Sequence, residues 1–141
     1  MKQLTLAGMF SIILLMTACS KTTDEIKVES KLTGKWMLKR WSGNDLIGSQ
    51  NRPSSGTYEV GEYMQFESGG QFIILVDNKI TQSYYKLLDN NTRLYIVPAN
   101  GIDIPDDGYE IKTLTDHTLV LYWKELRGTT IVSDVTIELA K

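Results

Sequence analysis

The 141-residue sequence has little cysteine, histidine or proline: one Cys, one His and three Pro. One cysteine cannot form an internal disulfide, so the fold has to depend on its hydrophobic core. Structural zinc takes four ligands, mostly Cys or His, and this composition excludes such a site. The sequence also lacks a Gly-x-Ser-x-Gly elbow and a glycine-rich loop leading into a helix. These absences exclude the commonest hydrolase and nucleotide-binding signatures.

Charge of either sign is not concentrated anywhere in the chain. There are 15 Lys and Arg against 17 Asp and Glu, for a formal net charge of −2. Without a basic cluster, nucleic acid is not expected as a partner. The longest apolar run, Leu4 to Met16, is shorter than the roughly 20 residues that span a bilayer as a helix.

The N-terminal segment has the layout of a secretory signal peptide. Lys2 supplies a positive start, Leu4 to Met16 form the apolar region, and the small residues Thr17 and Ala18 precede Cys19. It resembles the signals of bacterial lipoproteins, in which a small residue precedes a cysteine that becomes acylated, although Met16 stands where Leu is usual. The resemblance implies that residues 1–18 are removed and that Cys19 carries the lipid, whose chains contribute about 0.8 kcal/mol per buried methylene. We therefore expect a protein of the cell envelope, anchored in the outer membrane and facing either the periplasm or the cell surface.

The mature chain divides into a tether and one domain. Residues 19–30 are polar and lack apolar periodicity, which predicts a flexible tether. Residues 31–141 suit a single core of about 100 to 150 residues. Short apolar segments between Gly, Asn and Asp clusters predict eight antiparallel strands: Gly34 to Trp41, Gly61 to Glu67, Gln71 to Val76, Ile80 to Leu88, Thr92 to Val97, Tyr109 to Leu114, Thr118 to Glu125 and Thr129 to Leu139.

Most connections in this domain carry tight-turn residues, for example Asp77-Asn78 and Asp89-Asn90-Asn91. The exception is Ser42 to Val60, a long segment rich in Gly, Ser and Asn. Structureless loops of that length are commonly lids or binding loops. We therefore predict a lid between the first two strands.

The segment Leu32-Thr33-Gly34-Lys35-Trp36-Met37-Leu38 resembles the L-x-G-x-W-x-L signature that opens lipocalin-like domains. The resemblance covers residues 31–141 and implies an eight-stranded antiparallel up-and-down β-barrel. The resemblance implies that Gly34 allows the tight bend into the first strand and that Trp36 closes one end of the barrel. Neither Thr115-Asp116-His117 nor Arg127 matches the later motifs of larger lipocalins, so ligand identity is not implied. An open sandwich of the same strands is the alternative fold.

Alternation within the predicted strands assigns a set of side chains to the interior. They are Met64, Phe66, Phe72, Ile74, Tyr84, Leu94, Ile96, Tyr109, Ile111, Leu119, Leu121, Trp123, Ile137 and Leu139. Most of these are expected to be core. The candidate ligand-binding residues are Phe66, Phe72, Tyr84, Tyr109 and Trp123, since tyrosine and tryptophan join an apolar body to a polar tip.

Two functions remain open from sequence alone. The first is a non-catalytic envelope lipoprotein whose barrel binds a small hydrophobic or amphipathic molecule. The second is a solid barrel whose lid or Leu119 to Trp123 face binds or inhibits another envelope protein. An enzyme is not expected, because His117 lies in a predicted turn and no catalytic constellation accompanies it. We also expect no cofactor and no metal; a calcium site at Asp103, Asp106 and Asp107 lacks the spacing of a calcium loop, which favours a solvated turn.

Overall fold

The computed structural model of the chain describes residues 23–100, 104–127 and 130–141. The predicted signal peptide and Cys19 lie outside the described residues. Within the described part there are one helix and nine strands: α1 (Thr23–Leu32), β1 (Gly34–Ile47), β2 (Gln50–Thr57), β3 (Tyr63–Phe66), β4 (Gln71–Val76), β5 (Lys79–Leu88), β6 (Arg93–Ile96), β7 (Tyr109–Leu114), β8 (Thr118–Arg127) and β9 (Thr130–Ala140).

Eight of the nine described strands form a closed barrel. β1 pairs with β3, successive strands pair antiparallel from β3 to β9, and β9 returns to β1. The returning seam runs from Met37 opposite Ala140 to Asp45 opposite Ser133, with a bulge between Leu38 and Arg40. The predicted eight-stranded antiparallel barrel is therefore confirmed, and the open sandwich is excluded. β2 is an additional strand that pairs with β1 alone.

The tight turns follow the residues expected to form them. Asp77 and Asn78 both have positive φ, 50° and 60°, between β4 and β5. This is the conformation that a two-residue hairpin turn with the correct twist requires. Asp89, Asn90 and Asn91 also have positive φ in the β5–β6 connection. Asn and Asp tolerate this region better than other non-glycine residues, which explains their placement.

The predicted lid from Ser42 to Val60 is wrong: most of it is a β-hairpin. β1 continues from Arg40 to Ile47 in register with β2, from Ile47 opposite Gln50 to Arg40 opposite Thr57. On its other side, the same part of β1 pairs with β9. Pairing on both sides of β1 overrides the poor strand propensity of Gly, Ser and Asn. Pro53 lies on β2, an edge strand, where a missing N–H is tolerated.

α1 occupies residues 23–30 of the segment predicted to be a flexible tether, together with the first two residues of the predicted domain. Its last residue, Leu32, is fully buried. The Leu32 carbonyl accepts a 2.6 Å hydrogen bond from Trp36 Nε1, which ties the helix end to β1. No helix in the described ranges has the length and apolarity needed to cross a bilayer.

Candidate ligand-binding mouth of the barrel

The two ends of the barrel are built differently. The closed end is the end where β1 begins and β9 finishes, under the last turn of α1. The mouth is the opposite end, at the β4–β5 turn and the start of β3. At the closed end Phe66 packs against Phe72, with ring centroids 5.3 Å apart, and against the edge of Tyr85, 5.2 Å away. All three side chains are buried, so this half of the interior is filled.

Trp36 lies at the closed end and is fully buried. Lys141 places its ammonium 4.3 Å from the Trp36 ring centroid. The same ammonium donates hydrogen bonds of 2.8 Å to the carbonyls of Lys31 and Thr33. Burial lowers the pKa of Lys141, and Asp116 opposes that shift. Lys141 thus joins helix, tryptophan and last strand.

Lys141 was missed by the sequence analysis, which, among the cationic residues, compared only Arg127 with the later lipocalin motifs and found no match. Arg127 ends β8, at the far end of the β8–β9 hairpin from Trp36. The overlooked signal is the position of Lys141 one residue after the last strand, since β9 pairs with the start of β1. Gly34 completes this arrangement: its φ is +121°, and a Cβ there would lie 3.2 Å from Cε of Lys141. Only glycine is comfortable at that backbone angle.

The mouth contains a cavity of about 250 Å³. Its floor is apolar and its rim is polar. The lining residues are Leu38, Tyr58, Met64, Ile74, Val76, Asp77, Lys79, Thr81, Tyr109 and Ile137. Six different barrel strands contribute to it, so the cavity is an end of the barrel interior that side chains leave unfilled.

The rim is held by Glu62, a buried carboxylate with 6% of its surface exposed. One of its oxygens accepts a 2.7 Å hydrogen bond from the Asp77 N–H, and the other accepts a 2.9 Å bond from the Glu59 N–H. The carboxylate therefore connects the β4–β5 turn to the segment before β3. Burial raises the pKa of Tyr58 beside it, and the charge of Glu62 adds to the rise.

A sheet wall extends beyond the mouth, formed by β8, β9, the second half of β1, and β2. Trp41 pairs with the cavity-lining Ile137 on one side and with Gly56 on the other. A Cβ at position 56 would lie only 2.7 Å from Trp41 Nε1, so the indole lies across the glycine. In the next row Trp123 pairs with Val135, and both side chains are half-buried. The inner face of the wall thus presents two tryptophans next to the mouth.

The structure separates the five candidate ligand-binding residues. Tyr109 lines the cavity, whereas Phe66 and Phe72 belong to the filled closed end. Trp123 lies on the wall and also borders a flank groove of about 320 Å³ with Arg93 and Tyr122.

Tyr84 does not face the interior, and that prediction is wrong. Its side chain is 61% exposed, while the neighbouring Tyr85 is buried. Alternation along the predicted strand had assigned Tyr84 to the interior. The register with β4 instead turns the polar Thr81 and Ser83 inward, opposite Ile74 and Phe72. Tyr85 was the residue to choose on this strand.

The described residues contain no group of three or more His, Cys, Asp or Glu arranged to hold a metal ion. His117 is exposed in the β7–β8 turn. Of the three aspartates considered for calcium, Asp103 lies outside the described residues. The carbonyl of Asp107 accepts a 2.7 Å hydrogen bond from Arg93.

None of the protein-family models, curated proteins or solved structures that were compared with this chain matches it. The site is therefore interpreted from its own geometry: an apolar cavity with a polar rim and an aromatic wall beside it.

Proposed function

We propose that the protein is a lipid-anchored lipoprotein of the cell envelope, held in the outer membrane by acylated Cys19, whose barrel binds a small hydrophobic or amphipathic molecule at its mouth without catalysing a reaction. The observation that carries the proposal is the contrast inside one barrel. The closed end is packed with aromatic rings, and the mouth keeps a cavity of about 250 Å³.

The chemistry of the cavity supports an amphipathic ligand. Leu38, Met64 and Ile74 offer an apolar floor, and Lys79 and the Tyr58 phenol lie at the polar rim. Apolar walls with a few polar groups are typical of small-molecule sites. A ligand would place its apolar body on the floor and its polar or anionic group near Lys79.

The size of the cavity restricts the ligand. Pockets for drug-sized ligands measure about 300–1,000 Å³, whereas a cavity of about 150 Å³ accepts benzene. At about 250 Å³, the mouth suits a body of one or two rings or a short branched chain. A longer molecule would have to lie partly against the tryptophans of the wall.

The same small volume favours the second candidate, a barrel that binds or inhibits another envelope protein. In that case the β1–β2 hairpin, which extends beyond the barrel with nearly all residues of β2 exposed, would make the contact. Ligand binding and protein binding are separated by a variant that fills the cavity without changing the hairpin.

The decisive variant is Thr81→Phe, since Thr81 lines the mouth cavity. Its matched control is Gln82→Phe, because Gln82 is the next residue on β5 and is exposed outside. The probe is 1-anilinonaphthalene-8-sulfonate, which joins apolar rings to an anionic group. We expect the fluorescence of the probe to increase when it binds the full chain. Thr81→Phe is expected to weaken the affinity for the probe about tenfold or more, and Gln82→Phe is expected to leave it unchanged.

Equal binding by both variants, at unchanged thermal stability, would reject the mouth as the site. Native mass spectrometry of gently purified protein provides a second test, because a carrier is expected to retain a small molecule. Anchoring is tested separately by the mass of the mature N-terminal peptide. We expect a diacylglyceryl thioether on Cys19 that is absent from Cys19→Ser.

A further inference from the structure

The outward surface of the barrel differs in charge between its two sides. In β3, β4, β5 and β6, all of which are described, there is no Asp or Glu at any position. The three later strands carry several acids: Glu110, Glu125, Asp134 and Glu138. The nearest acid is Glu67, directly after β3, whose carboxylate accepts a 2.6 Å hydrogen bond from Gln65 Nε2. In a chain of net charge −2, this side is thus poor in acids compared with β7, β8 and β9.

This acid-poor side also has an apolar surface. We define the β3–β6 outer face as the outward residues of these strands and the start of β1. Strand register aligns four of its residues in one row, Met37, Tyr63, Leu75 and Ile80. Ile80 is 63% exposed. Tyr84, four residues further along β5 and opposite Gln71, is 61% exposed, and its backbone carbonyl accepts a hydrogen bond from Val97 N–H. Ile80, Tyr84 and Val97 are thus exposed apolar residues of one face, with the polar Gln82 between Ile80 and Tyr84.

Cations lie among these apolar residues. Lys35 places its ammonium 3.7 Å from the ring centroid of Tyr63, and Lys86 lies 5.0 Å from that of Tyr95. Lys39 is exposed nearby. Lysine stems cover apolar surface while their charged heads reach outward, and tyrosine combines apolar and polar parts. This composition matches the boundary between anionic headgroups and acyl chains.

The path of the chain brings this face close to the proposed lipid anchor. Glu29 of α1 borders a cleft of about 290 Å³ whose other walls include Gly69, Lys86 and Leu87, so the helix lies beside the end of β5. Cys19 precedes Thr23, the first residue of α1, by four positions. Four residues extend at most about 14 Å. An acylated Cys19 would therefore hold the domain against the bilayer.

We propose that the β3–β6 outer face docks on the membrane surface, with Ile80, Tyr84 and Val97 entering the interface and the lysines contacting anionic headgroups. This inference rests on the proposed anchoring at Cys19. Docking on this side lays the barrel axis parallel to the bilayer. The mouth then opens sideways and can receive a ligand that arrives along the membrane surface. The occupant is a lipid surface because its negative charge complements an acid-poor face that carries Lys35 and Lys86, and the proposed anchor would hold the two in proximity.

The full chain, acylated and reconstituted into vesicles, provides the test, since Cys19 is the single native cysteine and is blocked by its lipid. An NBD fluorophore is attached through Tyr84→Cys on the docking face, or through the control Lys124→Cys on β8. In vesicles containing phosphatidylglycerol we expect blue-shifted emission and protection from aqueous iodide at position 84. At position 124 we expect emission typical of water and full quenching.

Charge is tested with the label kept at position 84. Lys35→Glu with Lys86→Glu is expected to abolish the blue shift, while the control pair, Lys112→Glu with Lys124→Glu, retains it. Phosphatidylcholine vesicles are also expected to abolish it. Equal emission at positions 84 and 124, or a shift insensitive to lipid charge, overturns the proposal.

Two further outcomes separate this proposal from others. Shielding at position 84 that requires envelope proteins and not lipid alone would identify a protein partner and overturn membrane docking. If Cys19 proves to be unmodified, the proposed anchoring fails. In that case phosphatidylglycerol vesicles are added to the unanchored protein. Shielding of the label at position 84 by these vesicles would support the docking face, and a label that stays exposed would reject both proposals.

Discussion

The closed end and the mouth use the same barrel strands for opposite purposes. At the closed end Trp36, Phe66 and Phe72 are fully buried, and α1 and Lys141 cover the opening. At the mouth, smaller side chains from the same strands leave a cavity, and a buried carboxylate holds the rim. Eight strands enclose just enough space to be filled or to hold one small ligand. In this barrel the closed end is filled and the mouth keeps space for a ligand. Stability and binding are therefore assigned to different ends of the barrel axis.

The largest effect of this separation is expected for Trp36→Ala. It deletes a fully buried ring and leaves the Leu32 carbonyl without the Trp36 Nε1 donor. Large aromatic truncations cost about 3–5 kcal/mol of unfolding free energy. Urea denaturation followed by circular dichroism measures the loss.

The comparison for Trp36→Ala is Ile74→Val at the mouth, where we expect about 0.5–1.5 kcal/mol. Probe binding is expected to change with Ile74→Val and to survive Trp36→Ala wherever that variant remains folded. A stability loss that is no greater at Trp36 than at Ile74 would contradict the assignment of stability to the closed end.

The next largest effect concerns the adjacent residues Tyr85 and Tyr84. Tyr85 packs on Phe66 and donates a 3.0 Å hydrogen bond to the Glu67 carbonyl, so Tyr85→Ala is expected to cost about 3 kcal/mol. Tyr84 is exposed, and Tyr84→Ala is expected to stay within about 0.5 kcal/mol. Thermal unfolding of both variants checks the difference. Similar losses at the two positions would contradict the observed facing of β5.

This pair also shows how far the sequence predicts the fold. Strands Gln71–Val76 and Tyr109–Leu114 have the predicted bounds, because each is a short segment with apolar residues between clear turn residues. β5 was assigned correctly as a strand, but its facing was not. Thr81 and Ser83 point inward only because pairing with β4 sets their parity. Which side chains of a strand point inward is decided by its pairing with neighbouring strands. The residues of that strand alone do not determine it.

The β1–β2 hairpin was not predictable for a related reason. Nearly all residues of β2 are exposed, so no apolar alternation marks it, and its composition resembles a loop. Its strand conformation depends on pairing with β1, whose other edge is paired with β9. Of the candidate site, Tyr109 was identified because its alternation is clear. The rim residues Tyr58 and Glu62 were missed for different reasons. Tyr58 belongs to the segment predicted to be a lid, and Glu62, although in phase with Met64 and Phe66, is a charged residue of a type that is rarely buried.

A smaller effect at the closed end is expected for Lys141→Met. The variant removes the donors to the Lys31 and Thr33 carbonyls and the cation above Trp36. Because these contacts are partly solvated, we expect a loss of about 1–2 kcal/mol. Lys141→Arg, which keeps both charge and donors, is the control and should recover most of it. If the Lys141→Met and Lys141→Arg variants unfold at the same urea concentration, the cation does not contribute to the stability of the closed end.

The smallest effect is a pH dependence at the mouth, where burial and then Glu62 raise the pKa of Tyr58. A raised pKa in the folded state means that the unfolded phenol ionises first, at about pH 10. The stabilisation contributed by neutral Tyr58 is thus complete below that pH, and it is lost as the pH rises through the folded-state pKa. Tyr58→Phe should therefore unfold like the native chain at about pH 8 and lose less stability at about pH 11. Urea titrations at the two pH values measure this difference, with Tyr84→Phe, an exposed tyrosine, correcting for the loss of one phenol. An equal alkaline loss in the native chain and Tyr58→Phe would mean that the mouth leaves the Tyr58 hydroxyl as hydrated as in the unfolded chain.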